Sequence, residues 1–170
     1  MKRVILVLVF AISLLYSANK EKEIVISNEV EVTGMVVNKL KLDVKELEKM
    51  SYKKSEKTPL VCMSGETKDN ASYEGVLLRD IIDKAIIDAK SKSDYNKAYI
   101  LVKSTDGYQT IFSYNEIFNT NLGDNIIVFY KRNGEYLDKH QGKIALISID
   151  DIKNGPRHIK WLEKIIIGKI

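Results

Sequence analysis

The single cysteine has the clearest capacity for chemistry in this chain. Cys62 ends a short apolar run that begins at Leu60, and a polar stretch follows it. An ionised thiol is a nucleophile and a ligand for soft metals, whereas a buried neutral thiol packs as a small hydrophobic group. Three interpretations of Cys62 are therefore open: metal ligand, nucleophile or core residue.

The chain has two histidines, His140 and His158, and this number limits the sites that it can build. A histidine-rich zinc site is disfavoured. The sequence also lacks paired metal-type cysteines, an HExxH motif, a phosphate-cradling glycine loop and a G-x-S-x-G motif. A nucleophilic pair between Cys62 and either histidine stays open, because residues distant in sequence can meet in a fold.

The N terminus has the pattern of a secretory signal peptide. Lys2 and Arg3 precede the uncharged run from Val4 to Leu15, and a charged stretch follows. We predict a signal peptide over residues 1–18 and a single domain over residues 19–170, in an exported protein of the periplasm or the extracellular space. After cleavage we expect no stable membrane anchor. The alternative is an uncleaved anchor, although the run is short for a spanning helix.

The charge balance argues against a nucleic-acid partner. The chain carries 27 basic and 23 acidic residues, and signal cleavage would remove Lys2 and Arg3 from the basic side. Nucleic-acid-binding domains typically carry a clear excess of basic residues on one face. We therefore expect no nucleic acid to bind.

The elements that must position Cys62 follow from the hydrophobic pattern. Apolar residues recur at helical spacing from Leu78 to Ala89, which predicts an amphipathic helix. A hairpin is predicted from Ala98 to Phe112 and a closing strand from His158 to Ile167. Gly65 to Ser72 lacks apolar periodicity, which predicts a loop. Because strands and helices do not alternate regularly, the predicted fold class is α+β, with mixed sheets and short helices.

Seven short segments occur along the chain in a recognisable order. They are Leu42-Asp43-Val44-Lys45-Glu46-Leu47, Val61-Cys62, Tyr73-Glu74-Gly75-Val76-Leu77-Leu78-Arg79-Asp80, Ser104-Thr105-Asp106-Gly107-Tyr108, Tyr130-Lys131-Arg132-Asn133-Gly134-Glu135, His140-Gln141-Gly142 and Gly155-Pro156-Arg157-His158-Ile159-Lys160-Trp161-Leu162. In this order they resemble the oxidoreductase molybdopterin-binding domain, the catalytic fold of the sulfite oxidase family. The resemblance covers roughly Val30 to Ile167 and implies that fold.

The resemblance also implies a cofactor, molybdopterin with molybdenum, and roles for individual residues. Cys62 stands where the family places the one protein thiolate on the metal, which makes it the expected metal ligand and catalytic residue. An ionised sulfur suits a metal already bound by sulfur. His140, Arg157, His158 and Lys160 are expected to hold the cofactor, since its phosphate needs cations. The implied reaction is oxo transfer with a small-molecule substrate and an external electron-transfer partner.

The alternative function is a cofactor-free exported binding or interaction module that retains the fold. At Ala145 and Ser148 the chain has small residues where the family usually has an arginine and a proline. A fold can persist after its original chemistry is lost.

Overall fold

Strands dominate the part of the chain that carries the candidate residues. The computed structural model describes residues 25–170, so the predicted signal peptide over residues 1–18 lies outside the described residues. The strands are β1 (Glu29–Gly34), β2 (Leu40–Asp43), β3 (Lys53–Lys54), β4 (Thr58–Val61), β5 (Thr67–Ala71), β6 (Tyr73–Leu77), β7 (Ala98–Ser104), β8 (Gln109–Ser113), β9 (Ile126–Arg132), β10 (Glu135–Tyr136), β11 (Ala145–Ser148), β12 (His158–Ile159) and β13 (Leu162–Lys169).

Four short helices connect these strands. They are α1 (Val44–Glu48), α2 (Leu78–Ala85), α3 (Lys92–Lys97) and α4 (Tyr114–Phe118), and 3₁₀ turns form at Asn121–Asn125 and Gly155–Arg157. No helix within residues 25–170 is long and apolar enough to cross a membrane.

The strands form two large sheets and one separate hairpin. The first sheet has the order β2-β1-β13-β7-β8, with β13 parallel to β1 and antiparallel to β7. The second has the order β12-β11-β9-β6-β3, and β10 pairs with β9. Strands β4 and β5 pair only with each other within the described residues. Mixed sheets with short helices confirm the predicted α+β fold class.

One hydrophobic core joins the two large sheets. Alternate residues of β1 (Val30 and Val32) and of β7 (Ile100 and Val102) are fully buried and pack in one cluster with residues of β6, β9 and β11. Full burial of such a side chain stabilises the fold by about 1.5–3 kcal/mol. A smaller cluster on the second sheet receives Leu60 from the hairpin. The sheets thus provide a rigid base for the loops between them.

Local sequence signals predicted the β7–β8 hairpin and the start of α2. The hairpin is confirmed, with Lys103 opposite Gln109 in its register. The predicted helix over residues 78–89 begins at Leu78 as expected but ends at Ala85. It ends early because Ile86 turns to a φ of 58°.

Two predicted elements are wrong. The expected loop over residues 65–72 contains β5, whose side chains are mostly exposed, so the segment carries no apolar alternation. The expected strand over residues 158–167 is split between β12 and β13, which belong to different sheets. The break falls at Trp161, which has a φ of 48°. Its backbone amide donates to Gln141 O and its indole Nε1 donates to Lys139 O.

Candidate cofactor site

Cys62 lies at the tip of the β4–β5 hairpin. Its amide donates to Glu66 O at 2.8 Å, and its carbonyl accepts from Gly65 N at 2.9 Å. Gly65 has a φ of +91°, a conformation that glycine adopts without steric cost. The turn leaves Cys62 half-buried beside a cleft of about 480 Å³.

Three parts of the chain line this cleft, which we call the thiol cleft. They are the β4–β5 hairpin, the β7–β8 turn and residues 153–161, which we call the C-terminal segment. The lining residues are Leu60, Cys62, Met63, Lys68, Tyr108, Gly155, Pro156, His158 and Lys160. A smaller cleft of about 280 Å³ shares four of these residues and reaches Trp161. The structure therefore brings together three of the residues expected from the sequence, Cys62, His158 and Lys160.

The thiol cleft has a positive electrostatic character. Lys68 and Lys160 line it, and no Asp or Glu does. Among residues 25–170, neither lysine lies within 4 Å of a carboxylate. Fixed cations without counter-charges attract anions. The cleft is therefore suited to an anionic occupant.

His158 contributes a neutral ring with one free polar atom. Its ring stacks on Phe129, with centroids 5.8 Å apart, and lies edge-on to Tyr73 at 6.4 Å. Burial, and in smaller measure the charges of Lys160 and Arg132, lower the pKa of His158 to about 4. Its Nε2 is buried and has no hydrogen-bond partner. Buried polar atoms are normally paired, so this nitrogen keeps an unused capacity for one hydrogen bond.

The C-terminal segment packs closely against the strand that precedes the thiol. Asn154 is 2% exposed; its Oδ1 accepts from Val61 N at 2.8 Å and its Nδ2 donates to Pro59 O at 2.9 Å. A Cβ on Gly155 would lie 2.8 Å from Val61 O and 3.3 Å from Cys62 Cα. Glycine is therefore required here by the approach of the protein's own backbone.

Arg157, expected to hold the cofactor, is placed outside the thiol cleft. Its guanidinium donates to Asp151 through Nε and to Glu116 at 3.1 Å, and it lies over the Phe112 ring at 4.4 Å. Burial alone would lower the pKa of Arg157, but hydrogen bonds and charge from Asp151 and Glu116 outweigh it and raise the pKa. Arg157 is thus neutralised inside the fold.

His140 is likewise placed away from the thiol. It is exposed and lines a separate cleft of about 260 Å³ together with Arg132, Tyr136 and Gln141. Its neighbours Lys139 and Gln141 hold Trp161 through their carbonyls. The segment around His140 therefore supports, through Trp161, the cleft of about 280 Å³ that adjoins the thiol cleft.

Comparison with known proteins decides the family. The sequence model of the oxidoreductase molybdopterin binding domain matches residues 21–169. The chain belongs to this family. The resemblance expected from the sequence is thereby confirmed.

Two relatives of the molybdopterin-binding domain define how far the likeness extends. The nitrate reductase [NADPH] of Leptosphaeria maculans is 26% identical over 162 residues, which cover 82% of this chain and 17% of that protein. The crystal structure of the sulfane dehydrogenase SoxCD from Paracoccus pantotrophus superposes with a TM-score of 0.63 at 16% identity, covering 82% of this chain and 37% of that chain. The chain thus spans well under half the length of either relative, and the second comparison shows a shared fold.

The donor set of the thiol cleft fits a molybdopterin cofactor. Within residues 25–170, no group of three or more His, Cys, Asp and Glu side chains is arranged to hold a metal ion. A metal at Cys62 would therefore draw its remaining ligands from a cofactor. The unpartnered Nε2 of His158 and the cations Lys68 and Lys160 suit the polar, anionic parts of such a group.

Sequence reasoning missed Lys68, Tyr108 and Asn154 as parts of the site. Lys68 lies in the segment predicted to be a loop, so no pattern indicated its direction. Tyr108 belongs to the predicted hairpin and to one of the seven segments, but neither indicates that its hydroxyl donates to Pro156 O at 2.8 Å across the cleft. The partner of Asn154, Val61, is 93 residues away in sequence, so no local pattern indicates their contact.

Proposed function

We propose that this chain is an exported molybdopterin-dependent oxidoreductase domain in which Cys62 ligates molybdenum. The observation that carries the proposal is the thiol cleft itself, where Cys62 lies with His158 and with two lysines that have no carboxylate partner in the described part of the chain. When bound, the cofactor would supply redox chemistry of the oxo-transfer type on a small-molecule substrate.

The residues of the chain bind and orient the cofactor in this proposal. Coordination holds the Cys62 thiol ionised. The neutral His158 ring offers Nε2 for one hydrogen bond, and stacking on Phe129 fixes the plane of the ring. Lys160 supplies positive charge for the cofactor phosphate. Lys139 and Gln141, on either side of His140, act indirectly by holding Trp161 through their carbonyls. Arg157 acts indirectly, through the shape of the C-terminal segment.

His158 is not paired with the thiol as a general base. Its Nε2 has no hydrogen-bond partner, so no Cys62–His158 pair is formed. A nucleophilic cysteine needs such a base within hydrogen-bond reach. This geometry favours the ligand role for Cys62 over the nucleophile role.

Export and electron transfer complete the proposal. The charged, then apolar start of the sequence supports export with cleavage near residue 18. The sequence has one cysteine and no haem signature. We propose that an external electron-transfer partner takes up or supplies the electrons.

A cofactor-free binding module is the second candidate, and Arg157 favours it. A cation expected to meet the cofactor phosphate is held instead by Asp151 and Glu116. Under this alternative the fold serves as a scaffold, and Cys62 has no ligand role.

The test is the cofactor content of the mature protein, purified from cells that make molybdopterin. We expect molybdenum or tungsten and released pterin in stoichiometric amounts, and a lower metal content in Cys62→Ser. The control is Ile152→Val, at a side chain that is 94% exposed and lies outside the thiol cleft, which should keep the metal. Melting curves should show that Cys62→Ser stays folded, with a change of about 1 kcal/mol. Metal at background in the wild type would contradict the proposal and support the binding module.

A further inference from the structure

The hairpin that carries Cys62 depends on side-chain contacts for its position. Within residues 25–170, β4 and β5 pair with neither large sheet. The base of the hairpin is anchored, because Ala71 is buried and β6 begins two residues later. Its tip, where the thiol lies, contacts the C-terminal segment instead.

Asn154 supplies β4 with the hydrogen bonds that a neighbouring strand would give. Its side chain accepts from Val61 N and donates to Pro59 O, so both atoms of the amide are used. Asn154 is buried, so both bonds are shielded from competing water. The first of these bonds is donated by the backbone amide of Val61, the residue before Cys62.

The residues on either side of Asn154 reinforce this contact. Lys153 Nζ donates to Met63 O, one residue after Cys62. Gly155 lies against Val61 O and Cys62 Cα. The backbone on both sides of the thiol is therefore held by residues 153–155, and His158 of the same segment faces the thiol cleft.

We propose that Asn154 is a positioning residue that fixes the Cys62 thiol relative to His158. The consequence for metal binding rests on the proposed function, whereas the effect on the thiol does not. Groups that orient a metal ligand typically change metal affinity by about 10- to 100-fold when they are removed. Asn154 would act in this way through the backbone of Cys62 rather than by touching the cofactor.

The first measurement uses the cofactor-free protein. The rate at which Cys62 reacts with a water-soluble aromatic disulfide reports how freely the hairpin tip moves. We expect Asn154→Ala to raise this rate by about 5-fold, because two buried hydrogen bonds are lost. Asn154→Ser, which leaves a polar group rather than a buried charge at this position, should also react faster than wild type. Lys153→Ala should give a smaller rise.

The control separates positioning from general destabilisation. Ile82→Val removes a methylene from α2, where Ile82 is 1% exposed, and lowers stability without touching the hairpin. We expect this control to react at the wild-type rate. Equal thiol rates in wild type, Asn154→Ala and Asn154→Ser would overturn the positioning role.

The second measurement uses the molybdenum-loaded protein. We expect Asn154→Ala to lose molybdenum about 10-fold faster and to show an altered electron paramagnetic resonance spectrum, with Ile82→Val unchanged. An unaltered spectrum with an unaltered loss rate would overturn the role of Asn154 in holding the ligand. A wild type without molybdenum would overturn the proposed function instead, and the thiol rates would still decide the positioning role.

Discussion

Adjacent residues of the C-terminal segment face opposite electrostatic environments. Arg157 points into the fold, where Asp151 and Glu116 neutralise it. His158 and Lys160 line the thiol cleft, whose lining includes no Asp or Glu. The protein itself supplies the partners of Arg157. By contrast, the buried Nε2 of His158 has no hydrogen-bond partner and Lys160 has no carboxylate partner among the described residues.

The difference separates what holds the fold from what receives a ligand. Proteins normally pair buried polar groups, and departures from this rule concentrate at functional sites. Asp151 also accepts from Ser148 Oγ at 3.0 Å, so this carboxylate is turned toward internal partners. The negative charge at Asp151 is thereby kept away from the thiol cleft.

The largest expected loss of stability comes from replacing Arg157, whose charge is neutralised by Asp151 and Glu116. Arg157→Ala should lower the free energy of unfolding by about 2–3 kcal/mol, because it leaves two carboxylates with one charge fewer and exposes Phe112. Urea denaturation measures this change. The matched control is Arg79→Ala, whose surface ion pair with Asp124 is worth less than about 1 kcal/mol. Equal losses of stability in Arg157→Ala and Arg79→Ala would contradict the view that the contacts of Arg157 hold the fold.

A second effect follows from the pKa of His158. Its folded-state pKa is about 4, against an ordinary value of 6.5 in the unfolded chain. Between these values the unfolded chain binds a proton that the folded protein does not, so the stability present above pH 6.5 is lost as the pH falls toward 4. From pH 7 to pH 5 this group should cost the cofactor-free protein about 2 kcal/mol.

Urea denaturation of two histidine variants at pH 7 and pH 5 isolates the contribution of His158 to the pH dependence of stability. His158→Phe should remove it, whereas His140→Ala, at an exposed histidine, should retain it. The same pH dependence in wild type and His158→Phe would contradict the assignment. An anion bound in the thiol cleft should raise the pKa of His158 and so reduce the loss.

The smallest change in stability is expected when Lys160, which has no carboxylate partner among the described residues, is replaced. Lys160→Ala should change the free energy of unfolding by less than about 0.5 kcal/mol, since no carboxylate partner is lost. It should nevertheless weaken retention of the cofactor by about 10-fold, the loss expected for one charged hydrogen bond. Lys92→Ala, which removes the same charge from exposed α3, should retain the cofactor as wild type does. Equal retention in the two variants would contradict the role of Lys160.

The fold could be predicted from the sequence where the signal is local. The β7–β8 hairpin follows from alternating residues around a turn, and the start of α2 follows from apolar spacing. β5 could not be predicted, because most of its side chains are exposed and only Ala71 is buried. The early end of α2 at Ile86 and the break at Trp161 depend on tertiary packing that no sequence period records.

The candidate site could be predicted in part for the same reason. The order of segments indicated that Cys62, His158 and Lys160 belong to one site, and the structure brings them together. The direction of Arg157 could not be foreseen, because it is set by Glu116 of a distant helix. Asn154 was missed because its partners lie in another part of the sequence.

The most direct test of the central claim is X-ray absorption at the molybdenum edge of the purified domain. If Cys62 is the protein ligand, the wild type should show one more sulfur bound to the metal than Cys62→Ser reconstituted with the same cofactor. The control Ile152→Val should match the wild type. An identical sulfur count in wild type and Cys62→Ser would contradict the assignment of Cys62 as the metal ligand.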